Sequence, residues 1–270
     1  MTALTDHGVT ALAALDDHRL ARALADAAGE VLLALRSRAD DGVDPAQLKA
    51  DGDRQSHLFL MDQLAAARPD DAVLSEEGKD DPVRLRAERV WIIDPLDGTR
   101  EFGEVPRDDW AVHVALWERG DLVAGAVARP ARGSTLATDD LPGPPGPGVQ
   151  PSGRLRLAVS RSRPPAFVAR LAERLDAELV PMGSAGIKAT AVVDGTVDAY
   201  VHAGGQYEWD SAAPVAVARA AGLHTSRIDG SPLEYNREDP LLPDLLICRP
   251  EVADHLLTVI SELNNEGNLT

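Results

Sequence analysis

From about His18 to Ser37 (HRLARALADAAGEVLLALRS), Leu20, Leu24, Ala27, Ala28, Val31, Leu32 and Leu35 recur at helical spacing with charges opposite them, which predicts an amphipathic helix. A second helix is expected from about Pro45 to Ala67. Two short apolar runs of strand length follow, Ala72 to Leu74 and Val90 to Ile93, and each leads directly into acids. Trp110 to Trp117 and Leu122 to Ala128, joined by Glu118-Arg119-Gly120-Asp121, predict a hairpin. The stretch from Asp139 to Gly153 is too rich in proline and glycine for a regular element. It marks a connection at 139–153 between an N-terminal half, 1–138, and a C-terminal half, 154–270. Beyond it the pattern predicts a strand (Arg156 to Ser160), a helix (about Pro165 to Ala177), a helix (Ala185 to Asp194), a strand (Asp198 to His202) and a helix (Asp210 to Ala221). Asp210 is expected as the N-cap of that last helix and Gly222 at its C-terminal end. Strands and helices mix throughout, so a layered, mixed α/β fold is expected.

Composition narrows the functions open to such a fold. The chain of 270 residues carries a formal charge of -17, which disfavours nucleic-acid polymers and anionic membranes, since both call for basic patches. An anionic substrate would need a recruited cation, and surplus carboxylates suit hard divalent ions. Cys248, the single cysteine, rules out an intrachain disulfide and reads as a small buried residue near the end of a strand-like LPDLLICRP. No apolar run approaches the ~18 residues of a membrane span, and the N-terminus has acids where a signal peptide carries basic residues. A cytoplasmic location is the expectation.

The candidate chemistry lies in acids that follow apolar strands or open a helix: Glu76 and Glu77 after AVLS, Asp94 and Asp97 after VWII, and Asp210 after Glu208-Trp209. Strand ends on one side of a sheet converge, so these acids can share a site, and a bound cation would relieve their repulsion. In Asp94-Pro95-Leu96-Asp97 the proline fixes a turn in which two carboxylates and the Leu96 carbonyl point at one spot, a magnesium-type donor set. Gly98 permits close backbone approach, and the Gly98 and Thr99 amides would open a helix able to hold a phosphate oxygen. A Gly-x-x-x-x-Gly-Lys-Ser/Thr loop is absent from the sequence, which argues against a P-loop enzyme.

Ser75-Glu76-Glu77, Trp91-Ile92-Ile93-Asp94-Pro95-Leu96-Asp97-Gly98-Thr99 and Glu208-Trp209-Asp210-Ser211-Ala212-Ala213 resemble, in order and approximate spacing, the metal-site motifs of the inositol monophosphatase superfamily. Within it, Asp-Pro-Leu-Asp-Gly-Thr followed by Arg100-Glu101-Phe102 is most similar to the CysQ-type 3'(2'),5'-bisphosphate nucleotidases, and Ala185-Gly186-Ile187-Lys188-Ala189 and the closing section GSPLEYNREDPLLPDLLICRP resemble their actinobacterial members. The resemblance implies an αβαβα sandwich of the sugar-phosphatase type and two to three Mg2+ ions. It implies metal ligation by Glu76, Asp94, the Leu96 carbonyl, Asp97 and Asp210, with Glu77 behind them, and a catalytic Thr99 oriented by Asp53 or its neighbour Asp51. Gly98, Thr99, Ser184, Lys188, His202 and Asp210 would then bind substrate. Lys188 matches a lysine of similar nucleotidases, against the bland reading of a solvated helix lysine. Ser160-Arg161-Ser162 resembles a nucleotide-contacting Ser-Arg-Ser. Two positions depart from the pattern: His202 stands where related bacterial enzymes have arginine, and Ser184 lies four residues before Lys188 instead of three.

The implied reaction is hydrolysis of adenosine 3',5'-bisphosphate to AMP, extending to 3'-phosphoadenylyl sulfate, by direct attack of a metal-activated water. Lithium sensitivity and a homodimer, with the hairpin from Trp110 as its apolar surface, are further implications. Inositol-1-phosphate or fructose-1,6-bisphosphate phosphatase is the alternative in the same fold. A binding protein on an inactive phosphatase fold would need a broken ligand, and none of Glu76, Asp94, Asp97, Thr99 or Asp210 is broken.

Overall fold

The computed structural model describes residues 12–141 and 153–267, so most of the Pro/Gly-rich connection lies outside the described residues. The first predicted helix is α1 (Asp17–Arg36) and the second is α2 (Pro45–Ala67). Asp16 caps α1 by accepting the Arg19 N–H, and Asp44 with Pro45 starts α2. A first sheet follows in the order β1 (Ala72–Ser75), β2 (Arg89–Asp97), β3 (Ala111–Glu118), β4 (Asp121–Arg129) and β5 (Ser134–Ala137), with β1 and β2 parallel and the remaining pairs antiparallel. A single helical turn, α3 (Thr99–Gly103), leaves the end of β2.

The second half contributes β6 (Arg156–Ser160), α4 (Ala166–Leu175), β7 (Glu178–Met182), α5 (Ala185–Val193), β8 (Ala199–Tyr207), α6 (Glu208–Ala220), β9 (His224–Ser226), β10 (Leu241–Cys248) and α7 (Pro250–Asn265). Its sheet runs β7-β6-β8-β10-β9. The sequence pattern did not distinguish β5, β7, β9 or α7, which are short or built from mixed residues.

Side-chain alternation along the strands explains the layering. Trp91 and Ile93 on β2, with Val112, Val114 and Leu116 on β3, pack against Leu20, Leu24, Leu32, Leu60 and Leu64 of α1 and α2. Their neighbours Val90, Ile92, Ala111 and Ala115 face the other way, onto α5 and α6. Those helices also cover Ala158, Tyr200 and Ile247 of the second sheet, whose outer positions Leu157, Val201, Leu246 and Cys248 pack on α4 and α7. The result is the expected αβαβα sandwich. The central helix α5 is buried at every residue, which fits a helix apolar all round and enclosed between two sheets. Cys248 is fully buried, and burial pushes its thiol up to about 12, so it is inert.

Candidate active site

Asp94 and Asp97 stand three residues apart, and in a regular strand that spacing sends side chains to opposite faces. The β2–β3 register resolves this: Asp94 pairs with His113 but Asp97 pairs with Ala111, so β2 carries one extra residue, a bulge at Pro95-Leu96. Pro95 has no N–H to lose from the ladder. The Ser56 hydroxyl of α2 donates to the Pro95 carbonyl at 2.7 Å and pins the bulge. Gly98 then adopts φ +86°, and a Cβ there would lie 3.2 Å from the Asp109 carbonyl oxygen, so glycine is required.

The bulge, the loop after β1 and the start of α6 place oxygen atoms of Asp94, Asp97 and Asp210 within 4.8 Å of one another. Glu76 follows β1, its backbone N–H donating to the Ile93 carbonyl at 3.4 Å, and its carboxyl turns in to share a hydrogen bond with Asp94 although the residue as a whole is exposed. Burial, then the neighbouring acids Glu76, Asp97 and Asp210, push Asp94 well above the usual carboxylate range. Burial and the adjacent acids also push Glu76 up to about 7. For Asp210, burial and Asp97 push the carboxyl up to about 6.

Asp97 behaves oppositely. Burial would raise it, but His113, Lys188 and the Ser184 hydroxyl outweigh that and hold it below its ordinary value. Its Oδ2 accepts from the Ser184 hydroxyl and from the Gly186 N–H at 2.7 Å, while Oδ1 accepts the Ala185 N–H at 3.1 Å. The first turn of α5 thus serves as its anion anchor, with Ser184 capping the helix.

In sequence His113 is one position of the apolar run from Trp110 to Trp117, with no motif to mark it. Fully buried, it sets Nε2 3.1 Å from Asp97 Oδ2 and Nδ1 3.1 Å from the Trp209 carbonyl oxygen, bridging the end of β2 to the start of α6. Burial opposes its charge, yet Asp97 prevails and the imidazole is raised above its usual value. The available signal was a lone histidine among buried strand positions.

Several expectations change in detail. Asp210 is not the N-cap of α6; Tyr207 is, and Asp210, three residues in, accepts the Tyr207 N–H at 2.6 Å. This reach-back leaves the carboxylate facing the site while it closes the helix end. Gly222, at φ +77°, follows the C-cap Ala221. Lys188 is no solvated helix lysine: it is buried, donates to the Gly183 and Ser184 carbonyls at 3.0 and 2.6 Å, and lies 5.2 Å from the Tyr200 ring centre. Burial lowers its pKa. His202 Nε2 bonds the Gly204 carbonyl at 2.9 Å, and burial lowers the imidazole to about 4. Arg161 pairs with Glu101 and Glu104, each at 2.8 Å, so the Ser-Arg-Ser segment is tied to Arg100-Glu101-Phe102.

Thr99 Oγ1 is 3.1 Å from Asp53 Oδ1 and 3.1 Å from the Leu96 carbonyl oxygen. Asp51 instead accepts from Arg54 at 3.2 Å, so the geometry joins Thr99 to Asp53. Burial, then the charge of Glu77, push Asp53 up to about 6. Farther back, buried Arg84 bonds both oxygens of Asp80, at 2.6 and 2.9 Å, and Asn236 Oδ1 at 2.8 Å, while Glu208 accepts the Asn236 and Arg237 N–H groups. This chain of bonds ties the segment following Glu76 to the helix bearing Asp210.

A model of the inositol monophosphatase family matches residues 16–264. The chain belongs to this family. Among its relatives, a Mycobacterium bovis protein named 3'-phosphoadenosine 5'-phosphate phosphatase is 55% identical over 87% of this chain and 90% of its own. The 3'(2'),5'-bisphosphate nucleotidase CysQ of Escherichia coli is 32% identical over 75% of this chain and 88% of its own. A solved structure, CysQ from Bacteroides thetaiotaomicron, superposes with a TM-score of 0.68 at 28% identity over 85% of this chain and 95% of that one. This inositol monophosphatase family member carries an all-oxygen donor set in which Glu76, Asp94 and Asp210 are raised in pKa by burial and mutual repulsion while Asp97 is held ionised, the arrangement a hard cation fits.

Gly186 is the tightest approach in the site, since a Cβ there would lie 2.1 Å from His113 Nε2. Gly186→Ala is expected to displace the His113 ring and destabilise the fold by about 1–3 kcal/mol, read by urea unfolding. Calorimetry should show weakened divalent-metal binding in the same variant, and a variant matching wild type in both would refute the tight contact.

Proposed function

We propose that this chain is a magnesium-dependent 3'-phosphatase that converts adenosine 3',5'-bisphosphate to AMP and phosphate, with 3'-phosphoadenylyl sulfate as a second substrate. The observation that carries this reading is the convergence of Asp94, Asp97 and Asp210, in a chain 55% identical to a protein named for that reaction. Glu76, Asp94 and the Leu96 carbonyl would hold one ion, and Asp94, Asp97 and Asp210 a second. When bound, divalent ions lower the pKa of water and neutralise charge on the transferring phosphoryl group.

The protein's own part is orientation and proton handling. The Thr99 hydroxyl has one proton, and giving it to Asp53 leaves the oxygen free to accept from the attacking water. It also leaves the Leu96 carbonyl lone pairs available to an ion. Asp53 must be ionised to accept that proton, which its pKa of about 6 allows near neutrality. Lys188 spends two of its N–H bonds on carbonyls, and in its ammonium form it would favour a substrate bearing a second phosphate.

Phosphate release from adenosine 3',5'-bisphosphate, inositol 1-phosphate and fructose 1,6-bisphosphate, measured in parallel with and without magnesium, tests the reading. The nucleotide is expected to lead in kcat/KM by more than about tenfold, roughly 1.4 kcal/mol. A sugar phosphate leading by that margin would overturn it, as would activity that survives complete chelation.

The assignment of the proton acceptor has its own test. Asp53→Asn is expected to lower kcat by about 10²- to 10⁴-fold, whereas Asp51→Asn should stay within about twofold; comparable losses in both would remove Asp53 from the role.

The acid side of the pH profile follows from the raised carboxyls. Glu76, at about 7, and Asp210, at about 6, bind protons more tightly here than in an unfolded chain. Protonation therefore favours the ion-free fold at low pH, a contribution lost as pH rises through those values. Magnesium binds the ionised forms and competes with those protons. At fixed magnesium, activity should fall as pH drops from about 7 to 6, and raising the magnesium concentration should move that limb to lower pH. A limb that ignores magnesium would mean that protonation acts elsewhere.

A further inference from the structure

The sequence contains four Trp, three Tyr and three Phe, and nine of these ten rings are buried or half-buried. Tyr207 alone is exposed, at 41%. Its position is the N-cap of α6, and its backbone N–H is bonded to the Asp210 carboxylate, so it stands at the edge of the carboxylate cluster. Its ring lies nearly parallel to that of Trp209, with centres 4.8 Å apart and planes 9° apart, while Trp209 packs against the central core. Stacking on Trp209 thus holds the Tyr207 ring by one face.

An exposed aromatic ring, already stacked on one side, offers its second face with its orientation fixed in advance. Next to it, Gly204 and Gly205 adopt φ +90° and +79°, and a Cβ at either would meet nothing within 4 Å. The strand end beside Tyr207 is therefore bare of side chains and leaves room for a planar group. Stacking on aromatic faces is how proteins hold nucleobases with little directional hydrogen bonding.

We propose that the Tyr207–Trp209 pair is the nucleobase platform of this site, with the substrate base stacking on the outer face of Tyr207 while its 3'-phosphate lies at Asp94, Asp97 and Asp210. The inference rests on the nucleotide reading given above. It assigns substrate selection to a ring at the mouth of the site, separate from the charge of Lys188. Tyr207 here is a binding residue for the base and takes no part in bond breaking.

The test compares adenosine 3',5'-bisphosphate with its base-free counterpart, 1-O-methyl-ribose 3,5-bisphosphate. In the wild type, kcat/KM for the nucleotide should exceed that for the base-free substrate by about tenfold or more. Tyr207→Ala and Tyr207→Leu should bring that ratio close to one, mainly through KM for the nucleotide, and Tyr207→Phe should keep it within about twofold of wild type. A ratio preserved in both Ala and Leu variants overturns the platform, as does a Phe variant that loses it with them. If Leu preserves the ratio and Ala does not, the contact is apolar bulk and the stacking assignment fails. Thermal unfolding of each variant separates these outcomes from loss of fold, and the base-free rate reports the integrity of the phosphate site. A wild-type enzyme that hydrolyses inositol 1-phosphate but not the nucleotide overturns the nucleotide reading itself, and the platform with it.

Discussion

Repulsion among buried carboxylates is the constraint from which the rest of this site follows. Asp94, Asp97 and Asp210 crowd their oxygens within 4.8 Å, with Glu76 bonded at the rim. The protein neutralises only one of them. Asp97 receives the α5 amides, the Ser184 hydroxyl and His113, with Lys188 close by, and is held ionised. Asp94 has the Leu96 N–H at 3.0 Å as its backbone partner and is pushed the other way. Charge compensation is thus divided: the fold completes Asp97 as a rigid anionic post, and leaves Asp94, Glu76 and Asp210 to be completed from outside.

Much of this was legible in the sequence where the signal is local. Amphipathic spacing located α1 and α2, because a 3.6-residue period survives over many turns. The three acidic motifs located the donors, because turn and strand-end chemistry leaves distinctive residue types. What stayed hidden depends on register and on distant partners. The bulge at Pro95-Leu96, which returns Asp94 and Asp97 to one side, exists only relative to β3. The burial of Lys188, a lysine the motif assigns to substrate, shows only once Gly183 and Ser184 supply carbonyls to its amino group. Asp210 has the residue type of an N-cap but occupies the position that reaches back to one. Arg100-Glu101-Phe102, distinctive as a motif, is used by the fold: Phe102 is a core ring packed edge-on to Trp110, and Glu101 holds Arg161 of the second half.

Precision at the site comes from its location in the middle layer. The helices α5 and α6 carry Ser184, Lys188 and Asp210 within or beside one turn of their N-terminal ends, and their remaining turns fill the space between the two sheets. Any shift of these helices would disturb the core on both sides, so the geometry at their N-termini inherits the stiffness of close packing. Contacts without slack, such as Gly186 on His113 and Gly183 on Glu101, extend that stiffness to the loops.

The same middle layer sets an order of events during synthesis. The strands of the first sheet are all present once residue 137 has emerged. One face of that sheet is covered by α1 and α2, made earlier, but the other, with Leu74, Ile92 and Val127, waits for helices ending at residue 220. Until then a nascent chain displays an apolar sheet face to solvent. The first half therefore cannot complete its fold as it leaves the ribosome, and a translational pause between β5 and α6 would prolong the interval in which that face is open to aggregation.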